Sequence, residues 1–290
     1  MNSFTILTDS TCDMSLELIK RLNVEVIPFE YTINGNHYLD VPTSSTETKK
    51  DFYDQMRNGA SGSTSQVSPE RYKEFIKPYL EKNNNVLFIS FSSGLSGSYN
   101  SLRIAREDLL EEFSDVRIEI FDSLCASCGE ALMVFLASQK RNEGASIDEV
   151  LSYLNDIRLK IAHRFTVDDL EYLRRGGRLS KATAFIGKTF HIKPLLHVTD
   201  EGKLVAIKKS IGRKASLRGL FDAMVETGVD LENQTIFISH CDCLDEVLTL
   251  KERIEKEISP KEIIINEIGP VIGSHSGPGT IALFFIATHR

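Results

Sequence analysis

The first segments of the chain alternate between apolar runs and a helical stretch. Residues 4–11 form a short apolar run that ends in polar residues, and residues 24–29 form a second apolar run. Between them, residues 15–22 have the composition of a helix. A strand, a helix and a second strand in this order favour a βαβ unit and therefore a parallel sheet.

The clearest strand of the chain is predicted at residues 85–91, which are almost continuously apolar. Strands of a parallel sheet are buried on both faces, so this pattern again favours a parallel arrangement. The elements predicted after it are a Ser/Gly turn at 92–98, a strand at 116–121, and helices at 99–112, 123–142 and 147–157.

The region between the second strand and residue 85 combines a turn signal with two capped helices. An Asn34-Gly35 pair within 29–39 predicts a hairpin. Helices are predicted at 46–59 and from Ser68-Pro69 to residue 82, since proline costs nothing in a first turn. The intervening residues 59–66 show no apolar periodicity and are predicted to form a loop.

From about residue 165 the pattern changes, and the chain of 290 residues is longer than one core usually organises. We therefore predict two domains, 1–162 and 163–290, with the boundary near Ala162. In the second domain we expect helices at 167–174, 182–189, 214–226 and 244–258, strands at 192–200, 203–210, 235–240 and 262–267, and a loop at 273–280 before the apolar run 281–287.

Charge and composition exclude some classes of function. The net charge is −7, which argues against broad binding to nucleic acid or to an anionic membrane, because both require a cationic face. No stretch has the 18 to 20 apolar residues of a membrane helix. The first residues lack the features of a signal peptide, so we expect a cytoplasmic protein without stable membrane insertion.

The cysteines indicate reduced thiols. Their number is odd, and Cys125-x-x-Cys128 supplies only half of a zinc site while Cys241-x-Cys243 is tighter than usual zinc spacing. Cys125-x-x-Cys128 also has the spacing of a redox pair, but we interpret these residues, together with Cys12, as buried or incidental thiols and expect no metal site.

Two polar loops are candidates for ligand binding. The turn at 92–98 follows a buried strand and precedes a helix, where free N–H groups and serine hydroxyls can hold an anion. Thr64-Ser65-Gln66 lies in a second polar loop. Both loops also fit ordinary turn and capping roles. Because neither contains lysine or arginine, which phosphate usually attracts, we favour a carboxylate as the ligand.

The turn lacks the features of two common enzyme motifs. It has neither the Gly-Lys-Ser/Thr ending of a P-loop nor the Gly-x-Ser-x-Gly pattern of a serine hydrolase. His275 stands among glycines in the predicted loop, where we expect it to be exposed and mobile, and is a candidate site residue. Two basic clusters are either solvated faces or one patch for a phosphate-bearing partner: Arg174, Arg175, Arg178 and Lys181, and Lys208, Lys209, Arg213, Lys214 and Arg218.

Taken together, six short motifs identify a known family. They are Asp9-Ser10-Thr11, Thr64-Ser65-Gln66, the Ser92–Tyr99 turn, Phe121-Asp122-Ser123, Gly176-Gly177-Arg178-Leu179-Ser180 and His275-Ser276-Gly277-Pro278-Gly279. In this order, and over residues 4–286, they resemble the DegV family of bacterial fatty-acid-binding proteins.

The resemblance implies a two-domain α/β fold of the DegV-like (EDD) type, with a parallel sheet in the N-terminal domain and a mixed sheet in the C-terminal domain. It implies a long-chain fatty acid as ligand and no other cofactor. The carboxylate is expected on Thr64 and on either Ser93 or Ser96, with Ser65 and Gly94 beside them.

The resemblance also implies a partner. Some members present the acid to a dihydroxyacetone-kinase-like fatty acid kinase, and Arg213 and His275 correspond to residues that face this kinase. Val67 departs from the proline common in the family, and Cys125 and Cys128 are expected to line the interior. The alternatives are an enzyme for a small carbonyl or phosphorylated substrate, and a lipid-sensing interaction protein.

Overall fold

The computed structural model describes residues 4–82, 84–179 and 192–290. Its N-terminal part contains a parallel sheet with the strand order β2-β1-β6-β7. These strands are β1 (Phe4–Asp9), β2 (Val24–Ile27), β6 (Asn85–Ser90) and β7 (Ile118–Asp122). The predicted βαβ start is confirmed, because α1 (Leu16–Leu22) connects β1 and β2.

Both faces of this sheet are covered, which explains the continuous apolar run of β6. Leu87 and Ile89 belong to one hydrophobic cluster, whereas Val86 and Phe88 belong to a second cluster on the opposite face. The covering helices are α3 (Pro69–Leu80), α4 (Ser98–Glu112), α5 (Cys128–Asn142) and α6 (Ile147–Ile157). The predicted helix at 123–142 thus begins five residues late, at Cys128.

A small antiparallel sheet with the order β4-β3-β5 lies beside the parallel sheet. Strands β3 (Phe29–Ile33) and β4 (Asn36–Asp40) confirm the predicted hairpin, whose turn residues Asn34 and Gly35 have positive φ. Helix α2 spans Thr46–Arg57. The prediction of a loop at 59–66 was wrong for residues 63–65, which form β5 (Ser63–Ser65). This three-residue strand is entirely polar, so no apolar pattern marks it in the sequence.

The C-terminal sheet is mixed, as expected, and has the order β10-β9-β8-β13-β11-β12. Only β11 and β12 pair in parallel among the described strands of this sheet. The strands are β8 (Ile161–Thr166), β9 (Ile192–Val198), β10 (Leu204–Ile211), β11 (Thr235–His240), β12 (Glu262–Glu267) and β13 (Ile281–Ile286). The boundary proposed after residue 162 falls inside β8.

The remaining helices are α7 (Glu171–Arg175), α8 (Arg213–Thr227), α9 (Leu244–Glu257) and α10 (Pro270–Ser276). The helix predicted at 167–174 is therefore shorter and later, and the loop predicted at 273–280 is helical up to Ser276. The helix predicted at 182–189 lies outside the described residues. In the described part of the chain, every helix falls short of the length and apolarity needed to cross a bilayer.

Helix α5 joins the two large sheets. It contacts β1 and β6 on one side and β8, β11 and β13 on the other. Ten of its residues are buried, which is why its sequence lacks a strongly polar face. Ala126 and Ser127, immediately before this helix, line the cavity described next.

Candidate functional site

A cavity of about 330 Å³ lies between the N-terminal turns, α10 and the inner face of the C-terminal sheet. Its volume is within the range of small-molecule sites. Most of its walls are apolar, and they include Phe29, Phe91, Phe165, Leu204, Val271 and Phe284.

The floor of the cavity follows the strands of the C-terminal sheet. Ala282 pairs with Phe165, and Phe284 pairs with His163, and all four residues line the cavity. The next pair on the same face, Ile286 with Ile161, lies outside the lining. From Thr280, which also lines the cavity, to Phe284 the floor extends about 13 Å at the usual rise of a strand. The cavity is therefore an elongated apolar slot.

The end of the slot opposite Phe284 is polar and is open to solvent. Thr64 on β5, Ser96, His275 and Arg178 line it, and the Oγ1 atom of Thr64 lies 2.8 Å from Nε2 of His275. The exposed residues of the lining are Ser65, Gln66 and Gly97, and all three are at this end. A ligand with one polar head and one apolar tail matches this arrangement.

His275 belongs to the last turn of α10 and is partly buried, so the expectation of an exposed, mobile loop residue was wrong. Its Nδ1 atom faces Gly176, where a Cβ atom would overlap with the ring, and has no hydrogen-bond partner among the described residues. Burial, followed by the charge of Arg178, lowers the pKa of His275 to about 4. The imidazole is therefore neutral at neutral pH.

Arg178 is a site residue that the loop analysis missed. Its guanidinium donates through Nε to the Leu95 carbonyl at 3.2 Å and through Nη1 to the Gly176 carbonyl at 2.5 Å. The two polar loops contain no cation, but this third segment supplies one to the same cavity. The absence of a cation from the two loops therefore does not favour a carboxylate over a phosphate. The apolar slot is better evidence, because it matches a ligand with an apolar tail. The available signal was the Gly176-Gly177-Arg178 motif.

The structure brings Thr64, Ser65 and Ser96 to the cavity and places Ser93 and Gly94 outside its lining. The exposed Ser93 donates its backbone N–H to Oδ1 of Asp122 at 3.1 Å. Gly94 packs against the backbone of Glu201, where a Cβ atom would overlap with the carbonyl oxygen. Arg213 also lies outside the lining.

Thr11 connects the cavity wall to a pair of buried carboxyl groups. Its hydroxyl lies 2.5 Å from Oδ1 of Asp9 and 3.0 Å from Oε2 of Glu130, while Thr8 donates to Oε1 of Glu130 at 2.8 Å. One hydroxyl proton cannot serve both carboxyl groups, so one of them is protonated. Burial raises the pKa of Glu130 well above its ordinary range and that of Asp9 to about 6. We therefore assign the proton to Glu130.

None of the five cysteines, all of which lie in the described ranges, forms a disulfide, and four of them are buried. Cys125 and Cys128 are buried in the interior, as expected, and lie outside the cavity lining. Cys125 instead accepts a hydrogen bond from Arg290 Nη2 at 3.1 Å. Within the described ranges, there is no group of three or more side chains able to hold a metal ion.

This fold and this slot define an α/β protein with a mostly apolar cavity that has one polar, solvent-open end. Residues 3–288 match the DegV family, described as uncharacterised proteins. A DegV domain-containing protein of Clostridium perfringens is 42% identical over 286 residues, which cover 99% of this chain and 98% of that protein. The chain therefore belongs to the DegV family.

Solved structures agree with this assignment. A DegV lipid-binding protein from Thermotoga maritima superposes with a TM-score of 0.87 at 28% identity and covers 99% of both chains. A DegV family protein from Thermus thermophilus, described by its fatty acid binding, has a TM-score of 0.87 and 31% identity, and the match covers 98% of this chain and 99% of that one.

Proposed function

We propose that this protein binds one long-chain fatty acid, with the acyl chain in the apolar slot and the carboxylate at the polar end. The observation that carries the proposal is the Thr64–His275 pair with Arg178 at the open end of a slot whose remaining walls are mostly apolar. The lipid-binding and fatty-acid-binding descriptions of the two structural relatives support it.

The energetics favour an acyl chain as the tail. Each buried methylene contributes about 0.8 kcal/mol, so a long chain contributes on the order of 10 kcal/mol before the cost of ordering. The polar end then has to satisfy the carboxylate rather than supply most of the affinity. Donors from Thr64 and Ser96, together with the charge of Arg178, are suited to that task.

We further propose that the protein presents the bound carboxylate to a partner kinase. The polar end is the open end, so a carboxylate held there faces solvent while the chain is enclosed. A dihydroxyacetone-kinase-like fatty acid kinase, as implied by the family resemblance, would bind ATP and place its γ-phosphate beside this carboxylate. A carboxylate oxygen would attack the γ-phosphorus, ADP would leave, and an acyl phosphate would form. In this scheme His275 faces both ligand and partner, and the protein itself is not an enzyme.

One observation favours an enzyme instead. A threonine hydroxyl 2.8 Å from an imidazole nitrogen resembles a nucleophile with its general base. However, a general base becomes an imidazolium, and Nδ1 of His275 has no described partner to stabilise that charge. The nearby Arg178 opposes it further, since this residue contributes to the lowered pKa of His275. These contacts are better suited to binding.

Organic extraction of the purified protein, followed by mass spectrometry, tests the proposal. We expect a long-chain fatty acid in the extract and stoichiometric uptake of such an acid by the delipidated protein. Finding neither would overturn the proposal. If the protein hydrolysed an acyl ester or thioester without a partner, and if this turnover were lost in His275→Ala, the enzyme would be the correct assignment.

A further inference from the structure

Arg213 does not line the cavity, but it pairs with Asp168, which packs against the turn that follows His275. Arg213 opens α8, and its guanidinium forms a forked contact with Glu246, with Nε 3.1 Å from Oε1 and Nη2 2.5 Å from Oε2. Its Nη1 atom lies 3.5 Å from Oδ1 of Asp168. Only 18% of the side chain is exposed, so Arg213 is engaged within the chain.

Asp168 connects Arg213 with the glycine turn at residues 277–279. Lys193 holds the same aspartate, with Nζ 2.9 Å from both Oδ1 and the backbone carbonyl. The opposite side of the carboxylate packs on the backbone of Gly279, where a Cβ atom would overlap with Oδ2. Gly279 also has a φ of +78°, which favours glycine. The Asp168 carboxylate, which Lys193 holds at 2.9 Å and which pairs with Arg213 Nη1 at 3.5 Å without a hydrogen bond among the described residues, therefore bears directly on this turn.

The turn continues directly from the helix that carries His275. Gly277 donates to the Gly273 carbonyl at 2.8 Å and so closes the last turn of α10. Its Cα atom packs on the ring of Tyr172, where a Cβ atom would overlap. The segment from Asp168 to α7 then ends at Gly176, against Nδ1 of His275. One segment thus contacts both the turn after His275 and the ring itself.

We propose that Arg213 and Asp168 are positioning residues that hold the imidazole of His275 at hydrogen-bonding distance from Thr64. Helix α10 has seven residues, so a displaced turn moves the imidazole with it. A hydrogen bond weakens steeply once its distance or angle departs from the optimum. The expected effect on fatty acid binding rests on the proposed function. The position of the His275 ring, in contrast, is a property of the ligand-free protein.

Nuclear magnetic resonance of histidine-labelled, ligand-free protein tests the geometric part. We expect Asp168→Asn and Arg213→Gln to change the ring nitrogen shifts of His275 and its titration midpoint. The matched control is Glu262→Gln, which breaks the forked pair with Arg21 far from the turn. Unchanged His275 signals in both folded variants, or an equal change in the control, would overturn the proposal.

Fatty acid affinity tests the consequence. Because the Asp168 side chain is about half-exposed, we expect Asp168→Asn to weaken binding on the order of fivefold, and to have no further effect in a His275→Ala background. An equal loss in that background would show that Asp168 does not act through His275. Arg213→Lys keeps the charge without the fork and should give an intermediate His275 signal. If the wild-type protein binds no fatty acid, the proposed function fails, whereas the nitrogen shifts still decide the positioning role.

Discussion

Replacing Glu130 with glutamine tests whether a neutral carboxyl group lies beneath the cavity wall. Glutamine has the same shape, can accept from Thr8 through its oxygen and can donate to Thr11 through its nitrogen. The substitution therefore preserves the hydrogen bonds that we assign to the protonated glutamate and removes only its titration.

The sign of the pH dependence follows from the raised pKa of Glu130. Above the ordinary value of 4.5 the residue ionises in the unfolded chain but stays protonated in the folded protein. The contribution of Glu130 to the stability of the wild-type protein therefore falls as the pH rises, by about 1.4 kcal/mol per pH unit, until the pH reaches the folded pKa of this residue. Glu130→Gln lacks this loss, so its stability relative to the wild type should increase with pH.

Urea unfolding of both proteins, at several pH values between 5.5 and 8, measures this difference in the free energy of unfolding. Glu149→Gln is the matched control. A backbone hydrogen bond from Ser146 lowers the pKa of Glu149, so this residue is ionised in both states over the whole range. Its difference from the wild type should stay constant. A constant difference for Glu130→Gln as well would refute the assignment of the proton.

Substitutions at three further positions test the cavity. Thr64→Val removes the hydroxyl beside His275 and should weaken fatty acid binding by about 1 to 3 kcal/mol, or roughly 5- to 150-fold in Kd, whereas Thr64→Ser should stay near the wild type in calorimetric titrations. Arg178→Gln should weaken binding of the acid roughly tenfold and leave binding of the corresponding alcohol unchanged, and an equal loss for both ligands would contradict a role for charge. His163→Ala enlarges the apolar end of the slot beside Phe284. In competition assays, the binding free energy of longer acids relative to shorter ones should therefore improve by about 0.8 kcal/mol per added methylene.

The parallel sheet was predictable because its strands are buried on both faces. A strand such as β6 then shows a nearly continuous apolar run, and the capping residues Ser68 and Ser146 mark the starts of neighbouring helices. The hairpin at Asn34-Gly35 was predictable for a local reason, since its turn needs positive φ at both residues.

The elements at the polar end were harder to predict. Strand β5 consists of Ser63, Thr64 and Ser65, so no apolar alternation marks it, and its pairing with β3 is a tertiary effect. Helix α10 is short and contains glycine and serine, and the glycines suggested a loop. Its stability comes from packing against neighbouring elements rather than from helix propensity.

Residues that act from distant segments could be found only from the fold. Arg178 and Ser96 are 82 positions apart in the chain, and the fold brings both to one cavity, where Arg178 donates to the carbonyl of Leu95. Glu130 lies within a buried helix, and its sequence neighbours do not indicate the carboxyl of Asp9. The motifs containing Arg178 and Asp9 marked the segments, but not their contacts.

Calorimetric titration of the delipidated protein with a long-chain fatty acid, and with its methyl ester, tests whether the polar end of the cavity holds a carboxylate. The two ligands share the acyl chain and differ in the carboxylate that Thr64, Ser96 and Arg178 are proposed to hold. We expect the acid to bind with one-to-one stoichiometry and the ester to bind at least tenfold more weakly, a difference on the order of one charge-assisted hydrogen bond. Equal affinity for both ligands, or no binding of the acid, would contradict this expectation.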